Sequence, residues 1–216
     1  MVRVKVPDVV VRRLVNYLRI LKEREASPED YISSAELAAL AGVNAAQVRK
    51  DLALFGEFGK QGVGYPVLML KQELVEILGA GEPVPVCLFG VGELGTALAR
   101  YLTTRHRFDK DYPFHVKALF DVNPKKIGTT IGGVKVSSIA EATDIVKAHD
   151  IKVGIVTVPP EAAQEVCDIA VRAGIQAFLN FAPVKLRVPE GVLVKYQDVT
   201  SDLQELTFFL RQRMER

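Results

Sequence analysis

Several features that would assign a protein to a common class are missing from this sequence. No apolar stretch among the 216 residues approaches the roughly 20 that a membrane helix requires. Charges at Arg3 and Lys5 interrupt the N-terminal apolar stretch, so we expect no signal peptide. The only two cysteines, Cys87 and Cys167, both lie in apolar patterns. We therefore expect reduced core thiols in a cytoplasmic protein, with no disulfide and no membrane segment.

Histidine is also scarce. The three histidines lie in a loop, at the start of a strand and at the end of a helix, outside any catalytic motif: His106, His115 and His149. Solvated or structural roles suit them better than catalysis. The cysteines have no evident base beside them, and the chain contains no internal repeat and no low-complexity segment. We expect neither a catalytic centre nor a metal site.

The first third of the chain has the pattern of a helix-turn-helix followed by a wing. Helical spacing of apolar residues and capping-box residues predict four helices, over 8–25, 33–40, from 44 onward and over 68–78. Four glycines interleaved with aromatic residues over 55–65 predict a tight two-stranded hairpin. The glycine-rich stretch 79–83 is the expected linker to the rest of the chain.

Beyond the linker, continuous apolar runs alternate with amphipathic stretches. The runs predict buried strands over 84–89, 115–120, 134–136, 153–158, 176–179 and 192–196. The amphipathic stretches predict helices over 93–105, 138–149, 160–173 and 201–215. This alternation predicts an α/β fold: a doubly wound, Rossmann-like parallel sheet that follows the winged helix-turn-helix.

A glycine-rich turn joins the first of these strands to its helix. It consists of Gly90, Val91, Gly92, Glu93, Leu94 and Gly95. In this spacing the first glycine permits a tight turn, the second lets a pyrophosphate approach the helix N-terminus, and the third allows close helix–strand packing. A turn that binds nothing is the alternative.

An acid ends the next predicted strand, as dinucleotide sites require. Asp121 would accept hydrogen bonds from a ribose diol and disfavour a 2′-phosphate. Val122 and Lys126 beside it are assigned to the same site. Because Lys125 and Lys126 follow so closely, the preference for NAD over NADP stays open at this point.

Two further loops leave strand ends on the same side of the sheet. Ligands of open parallel sheets bind at the carboxyl ends of the strands. We therefore assign both loops to the cofactor site, with the residues Thr157, Val158, Pro159, Asn180, Phe181, Ala182 and Pro183. An ordinary helix entry is the alternative interpretation of each loop.

The helix that begins after Asn44 has the composition of a recognition helix. Its N-terminal turns, which reach base edges and phosphates in the major groove, carry Ala45, Ala46, Gln47, Arg49 and Lys50. Lys60 and Gly62 at the hairpin tip would lie along the DNA backbone as a wing, and Ser33 and Ser34 open the preceding helix. A three-helix packing module without DNA contacts is the alternative.

Longer stretches of the sequence resemble the Rex family of redox-sensing repressors. They are the run Phe55-Gly-Glu-Phe-Gly-Lys-Gln-Gly-Val-Gly-Tyr65 and residues 33–38, 48–52, 90–95, 120–128, 157–159 and 179–183. The resemblance covers essentially the whole chain. It implies a homodimer on a palindromic double-stranded operator, with NAD⁺ permitting DNA binding and NADH releasing the DNA. It further implies a C-terminal helix swapped between subunits, for which packing on its own domain is the alternative, and a redox switch formed by Arg19, Tyr101 and Asp198.

The expected organisation follows from these assignments. Residues 1–80 form a winged-helix DNA-binding domain, 84–199 a Rossmann NAD(H)-binding domain and 200–216 a dimerisation helix. The function is then repression that responds to the NADH/NAD⁺ ratio, without enzymatic activity. A small NAD-dependent oxidoreductase is one alternative, but no chain remains for a substrate domain. A CoA-binding regulatory domain is another, against which Asp121 favours the free ribose diol of NAD.

Overall fold

The computed structural model describes residues 6–24, 26–109 and 112–214. It divides into two compact units, Met1–Glu82 and Pro83–Arg216, and the division falls inside the glycine-rich stretch 79–83. The expected helix ends at residues 25 and 215 lie outside the described residues. The same is true of residues 1–5 and 215–216 of the expected domains.

The first unit is a small helical domain with one two-stranded sheet. Its elements in chain order are α1 (Asp8–Glu23), β1 (Tyr31–Ile32), α2 (Ser34–Ala41), α3 (Ala45–Ala53), β2 (Tyr65–Pro66) and α4 (Val67–Ile77). The helices form because apolar residues recur along one face of each, and these residues meet in a single core that includes Leu14, Leu37, Val48 and Leu70. Within this unit α2 packs against α3, the two helices that the sequence pattern assigns to the helix-turn-helix.

The prediction that residues 55–65 form a two-stranded hairpin is wrong about which segments pair. A single bridge between Lys60 and Gly64 closes the turn, and the strand that follows it, β2, pairs antiparallel with β1. The close approach of the two segments explains the glycine at position 64. A Cβ there would lie 2.6 Å from the carbonyl oxygen of Ile32, and its φ of +119° suits glycine. The wing is therefore anchored to the segment before α2.

The second unit is the predicted α/β fold. Its elements are β3 (Val84–Phe89), α5 (Glu93–Phe108), β4 (Phe114–Asp121), β5 (Thr130–Ile131), β6 (Val134–Ser138), α6 (Ala142–Ala148), β7 (Val153–Val156), α7 (Pro160–Ala173), β8 (Ala177–Asn180), β9 (Leu193–Tyr196) and α8 (Val199–Met214). The seven strands lie in the order β5-β6-β4-β3-β7-β8-β9, and every pair except β5 with β6 is parallel. The order reverses at β3 and β7, which places a ligand-binding crevice at their carboxyl ends.

Apolar residues cover both faces of this sheet. Leu88 of β3 belongs to the core that includes Ala99 of α5, whereas Phe89 belongs to the core that includes Ala163 of α7. Both cysteines, Cys87 and Cys167, are free and buried, and burial raises the pKa of each thiol, that of Cys167 to about 11. No described helix is long and apolar enough to cross a membrane.

One helix of the second unit has an exposed apolar surface. Six large apolar side chains of α8 are each at least half exposed: Val199 (64%), Leu203 (58%), Leu206 (61%), Phe208 (56%), Phe209 (50%) and Leu210 (60%). Monomeric soluble proteins rarely leave a large apolar surface uncovered. The apolar side chains of α8 therefore have no cover within the described residues.

Candidate functional sites

The glycines after β3 bring α5 close to the neighbouring strands. Gly90 has a φ of +93°, and a Cβ on Gly95 would lie only 2.0 Å from the carbonyl oxygen of Gly90. Tight turning and close packing therefore account for these two positions. At Gly92, the N-cap of α5, a Cβ would meet no described heavy atom within 4 Å apart from its chain neighbours. The backbone is open there, at a helix N-terminus that favours an anion.

Asp121 lies at the end of β4 beside this turn and is 9% exposed. Its Oδ2 accepts the N–H of Val91 at 2.9 Å, and its Oδ1 accepts the N–H of Asn123 at 2.8 Å. Lys126 Nζ lies 3.5 Å from Oδ2. Burial alone would raise the pKa of this carboxyl group, but the two backbone donors and Lys126 outweigh burial and lower the pKa. The carboxylate is thus charged, and Oδ1 keeps a lone pair for a hydroxyl donor.

The loops after β7 and β8 are shaped by their own side chains. Thr157 Oγ1 donates to the carbonyl oxygen of Gly90 at 2.7 Å, which ties the loop after β7 to the glycine turn. Asn180 is fully buried and donates to the carbonyl oxygens of Ala182 and Val184 at 3.0 Å each, while its Oδ1 accepts the N–H of Ala182 at 2.9 Å. Both side chains therefore act first on loop conformation.

A cleft of about 480 Å³ opens beside the N-terminus of α5. Of the expected cofactor residues it is lined by Val91, Gly92, Glu93 and Lys126. Its other lining residues are absent from the sequence assignment: Thr96, Ala97 and Arg100. They follow Glu93 at helical spacing on one face of α5, so extending the helical period from the turn would have identified them. The cleft thus has two cations at its margin, Arg100 and Lys126.

The expected DNA-binding residues lie around the starts of α2 and α3. Ser33 accepts the N–H of Glu36 at 3.0 Å and Asn44 accepts the N–H of Gln47 at 2.8 Å, so both act as N-caps. Ala46, Lys50 and Arg49 are exposed on α3. Gln47 is half-buried, and its Nε2 donates to Asp51 at 2.7 Å.

A second cleft, of about 620 Å³, lies between the start of α2, the end of α3 and the turn closed by Lys60 and Gly64. Of the expected DNA-binding residues it is lined by Ser33, Ser34, Arg49, Lys60 and Gly62. Arg49 Nη1 donates to Ser34 Oγ at 2.9 Å. Glu57 adds one acid to the lining, and Tyr65 adds an aromatic ring that the sequence assignment missed. Two cations beside a helix N-terminus suit a phosphate backbone.

Arg19 and Tyr101, two of the three expected switch residues, each have a local partner. Arg19 Nη2 donates to Asn16 Oδ1 at 2.9 Å. Arg105 Nη1 donates to the hydroxyl oxygen of Tyr101 at 2.7 Å, and its guanidinium lies 5.6 Å from the centre of the same ring. Tyr101 is 54% exposed on the surface of the second unit.

Asp198, the third expected switch residue, caps α8. Its carboxylate accepts the hydroxyl of Ser201 at 2.8 Å and the N–H of Thr200 at 3.0 Å. These hydrogen bonds, that of the Ser201 hydroxyl first, lower the pKa of the carboxyl group. Aspartate directly before a helix is a common N-cap, so this structural role was available from the sequence and was missed. Within the described residues, no cluster of His, Cys, Asp and Glu is suited to a metal ion.

Both units match known protein families. A family model described as a CoA-binding domain matches residues 82–184, and one described as the N-terminus of a DNA-binding protein matches residues 5–53. Among curated proteins, the redox-sensing transcriptional repressor Rex of Roseiflexus sp. is 46% identical over 204 residues. That alignment covers 94% of this chain and 90% of the relative.

Two solved structures match the chain over almost its full length. The structure of RSP in complex with beta-NAD⁺ and operator DNA has a TM-score of 0.87 at 36% identity, covering 98% of this chain and 95% of RSP. The structure of RSP in complex with beta-NADH has a TM-score of 0.84 at 34% identity, covering 98% and 97%. The similarity therefore includes the residues of both clefts.

Proposed function

Since this chain belongs to the Rex family of redox-sensing transcriptional repressors, we propose that NAD⁺ permits it to bind operator DNA and that NADH releases the DNA. The observation that carries the proposal is the full-length match to a repressor bound to NAD⁺ and operator DNA together. The match of this chain to the same repressor bound to NADH supports a cofactor that changes redox state. Both clefts occur in one chain, so one protein can couple cofactor to DNA.

Like its relatives, which are repressors, this chain is a repressor and not an enzyme. The oxidoreductase alternative is therefore wrong. The CoA-binding alternative agrees with the family model over residues 82–184 alone, whereas the repressor relatives extend over both units. The expectation of a redox-sensing, DNA-binding protein with a Rossmann-like second unit is confirmed.

We assign the cofactor to the carboxyl ends of β3 and β4, because the residues there fit a dinucleotide. The open backbone at Gly92 suits the pyrophosphate. The charged Asp121 suits a ribose diol, and Arg100 and Lys126 line the adjoining cleft. The nicotinamide, when bound, supplies the redox-dependent charge. The loops at 157–159 and 180–183 complete the proposed site.

The DNA would lie across the second cleft and the exposed side of α3. Lys60 and Gly62 of the wing, with Ser33 and Ser34 at the start of α2, are proposed phosphate contacts. The N-terminal turns of α3, from Asn44 to Lys50, are the proposed contacts to base edges. Arg49 lines the cleft and lies on α3, so it can serve either purpose.

We infer that the working form is a homodimer joined through α8, whose exposed apolar side chains require a cover. A two-fold dimer presents two equivalent DNA-binding domains, which matches the symmetry of a palindromic operator. The family resemblance supports a swapped helix in this role. Because the protein acts on DNA, we place it in the cytoplasm.

The test is a fluorescence-anisotropy titration of a palindromic operator by the wild-type protein, with NADH or NAD⁺ added separately. NADH is expected to weaken operator binding by about 5- to 150-fold, the range of a typical coupling free energy, while NAD⁺ leaves it intact. By reciprocity, saturating operator should weaken NADH binding by the same factor. Equal operator affinity with both cofactors would contradict the proposal.

A further inference from the structure

A buried polar cluster joins α1 to α3 in the first unit. We call it the Asp51 cluster, and it consists of Arg13, Tyr17, Gln47 and Asp51. Asp51 of α3 is 1% exposed and Tyr17 of α1 is fully buried. Arg13 donates to both carboxylate oxygens, from Nε to Oδ2 at 2.5 Å and from Nη2 to Oδ1 at 2.7 Å. The Tyr17 hydroxyl donates to Oδ2 at 2.9 Å and Gln47 Nε2 donates to Oδ1 at 2.7 Å.

Stability alone does not account for such a cluster. Burial would by itself raise the pKa of Asp51, and the hydrogen bonds from Arg13, Gln47 and Tyr17 outweigh it and lower the pKa. Burial and the Asp51 hydrogen bond raise the pKa of Tyr17 to about 12. Apolar residues of similar volume often stabilise a core as well as a buried ion pair does. Apolar packing does not fix the relative orientation of two side chains. A bidentate contact between an arginine and a carboxylate fixes both their distance and their orientation.

The cluster lies where orientation matters for DNA. Among the described helices, α1 packs chiefly against α2 and α4, and the Asp51 cluster is its hydrogen-bonded connection to α3. Gln47 is one helical turn before Asp51 and belongs to the N-terminal turns of α3 that we assign to base edges. Asp51 therefore holds α3 against α1 on one side and restrains the Gln47 side chain on the other.

We propose that Asp51 is a positioning residue for operator recognition, which sets the orientation of α3 and of the Gln47 amide so that operator is distinguished from other DNA. This inference rests on the proposed function, because it assigns base contacts to α3. Asp51 itself touches no base. Asp51 should therefore affect the ratio of operator affinity to non-operator affinity. General DNA affinity should not depend on it, since that affinity comes from phosphate contacts, which carry no sequence information.

The test replaces the cluster with apolar residues of similar size in the full-length protein. The triple variant Arg13→Met, Tyr17→Phe and Asp51→Leu leaves no buried charge or hydroxyl without a partner. A matched control is Arg24→Gln, which removes the exposed ion pair between Arg24, just after α1, and Glu36 of α2, joined at 2.5 Å. Anisotropy gives the dissociation constants for an operator and for a scrambled duplex, and calorimetry gives the melting temperature.

We expect the triple variant to melt at or above the wild-type temperature and to lose at least about tenfold in the operator to non-operator ratio, the value of one base contact. Its affinity for the scrambled duplex should be unchanged. A merely structural role would instead lower both affinities through the folded fraction. The control should keep the wild-type ratio.

A second variant keeps the inference testable if the triple variant does not fold. Arg13→Lys retains the charge beside Asp51 but cannot form the two-pronged contact, and it too should lower the ratio. An unchanged ratio in a folded variant of either kind overturns the inference. A wild-type protein that binds operator and scrambled DNA equally contradicts the proposed function itself.

Discussion

Asp121 combines two tasks in one carboxylate. It holds the glycine turn through the N–H of Val91, and it keeps a lone pair for a ligand hydroxyl. Lys126 lies close enough to partly neutralise it. We expect the balance between these two charges to set the preference between a free ribose diol and a 2′-phosphate, which the sequence alone left open.

Asp121→Asn should reduce the preference for NADH over NADPH. The amide oxygen can still accept the N–H of Val91, although the amide nitrogen cannot accept the N–H of Asn123. The charge that repels a 2′-phosphate is gone, and Lys126 becomes available to that phosphate. Because hydrogen bonds to charged groups are worth about 1.5–3 kcal/mol, we expect the preference to shrink at least about tenfold. Isothermal calorimetry with both cofactors measures it.

The control for this variant is Asp150→Asn, which alters an exposed aspartate paired with Lys152 at 2.8 Å in the same unit. It should leave both affinities unchanged. Wild-type protein that binds NADPH as tightly as NADH would show that Lys125 and Lys126 dominate, and the assignment of Asp121 would then be wrong.

At the residue scale, the sequence predicts those side-chain roles that depend only on residues nearby in the sequence. The N-caps Ser33 and Asn44 are local, and the structure confirms them as caps. The Asp51 cluster could not be predicted, because its α1 members lie 34 and 38 residues from Asp51. Nothing in a helical pattern says which buried acid meets which distant arginine.

At the scale of elements, length decides what a sequence reveals. The long helices and apolar strands are predicted to within a few residues, since each shows a full period or a continuous run. β1 and β2 are two residues each, too short for any period, so the pairing partner of the wing was predicted wrongly. β5 was not predicted for the same reason, since it too is two residues long.

The wing and α3 should contribute differently to DNA binding. Lys60→Ala is expected to weaken binding to every sequence and to reduce the salt slope by about one, because it removes one phosphate contact. Arg49→Ala should cost about 1–3 kcal/mol on operator alone if Arg49 contacts a base. Anisotropy at several salt concentrations separates the two effects.

Lys147→Ala, which removes an exposed cation of α6 in the other unit, is the matched control for both substitutions. It should leave the salt slope and the operator affinity as they are. Normal DNA binding by both Lys60→Ala and Arg49→Ala would mean that the winged-helix surface is not the DNA site.

At the scale of the whole molecule, we propose that α8 joins two chains and so lets two DNA-binding domains act together. Leu203, Leu206 and Leu210 recur at helical spacing and are exposed. The double variant Leu206→Asp and Leu210→Asp should therefore sediment at half the wild-type mass and lose most operator affinity. Gln204→Asp on the same helix should stay dimeric. A wild-type protein that sediments as a monomer while it binds operator would contradict the dimer.

The redox response is tested at Asp198, where charge and capping can be separated. Asn caps helices about as well as Asp, so Asp198→Asn removes the charge and keeps an oxygen for the N–H of Thr200. The Ser201 hydroxyl, which now donates to the other oxygen, can accept from the amide nitrogen instead. We expect this variant to dimerise and to bind operator, yet to respond less to the NADH/NAD⁺ ratio. Asp198→Ala also removes the cap and should lose about 1 kcal/mol of stability. Release of operator by Asp198→Asn at the wild-type NADH concentration would place the switch elsewhere.

The exposed apolar surface of α8 also has a consequence for inheritance. Chains that pair through this helix do not distinguish an intact partner from one whose wing is damaged. In a cell with equal amounts of both, only about a quarter of the dimers would be fully intact if pairing is random. A mutation such as Lys60→Ala would then behave as dominant, because each mixed dimer would bind only one half-site of its operator with normal affinity.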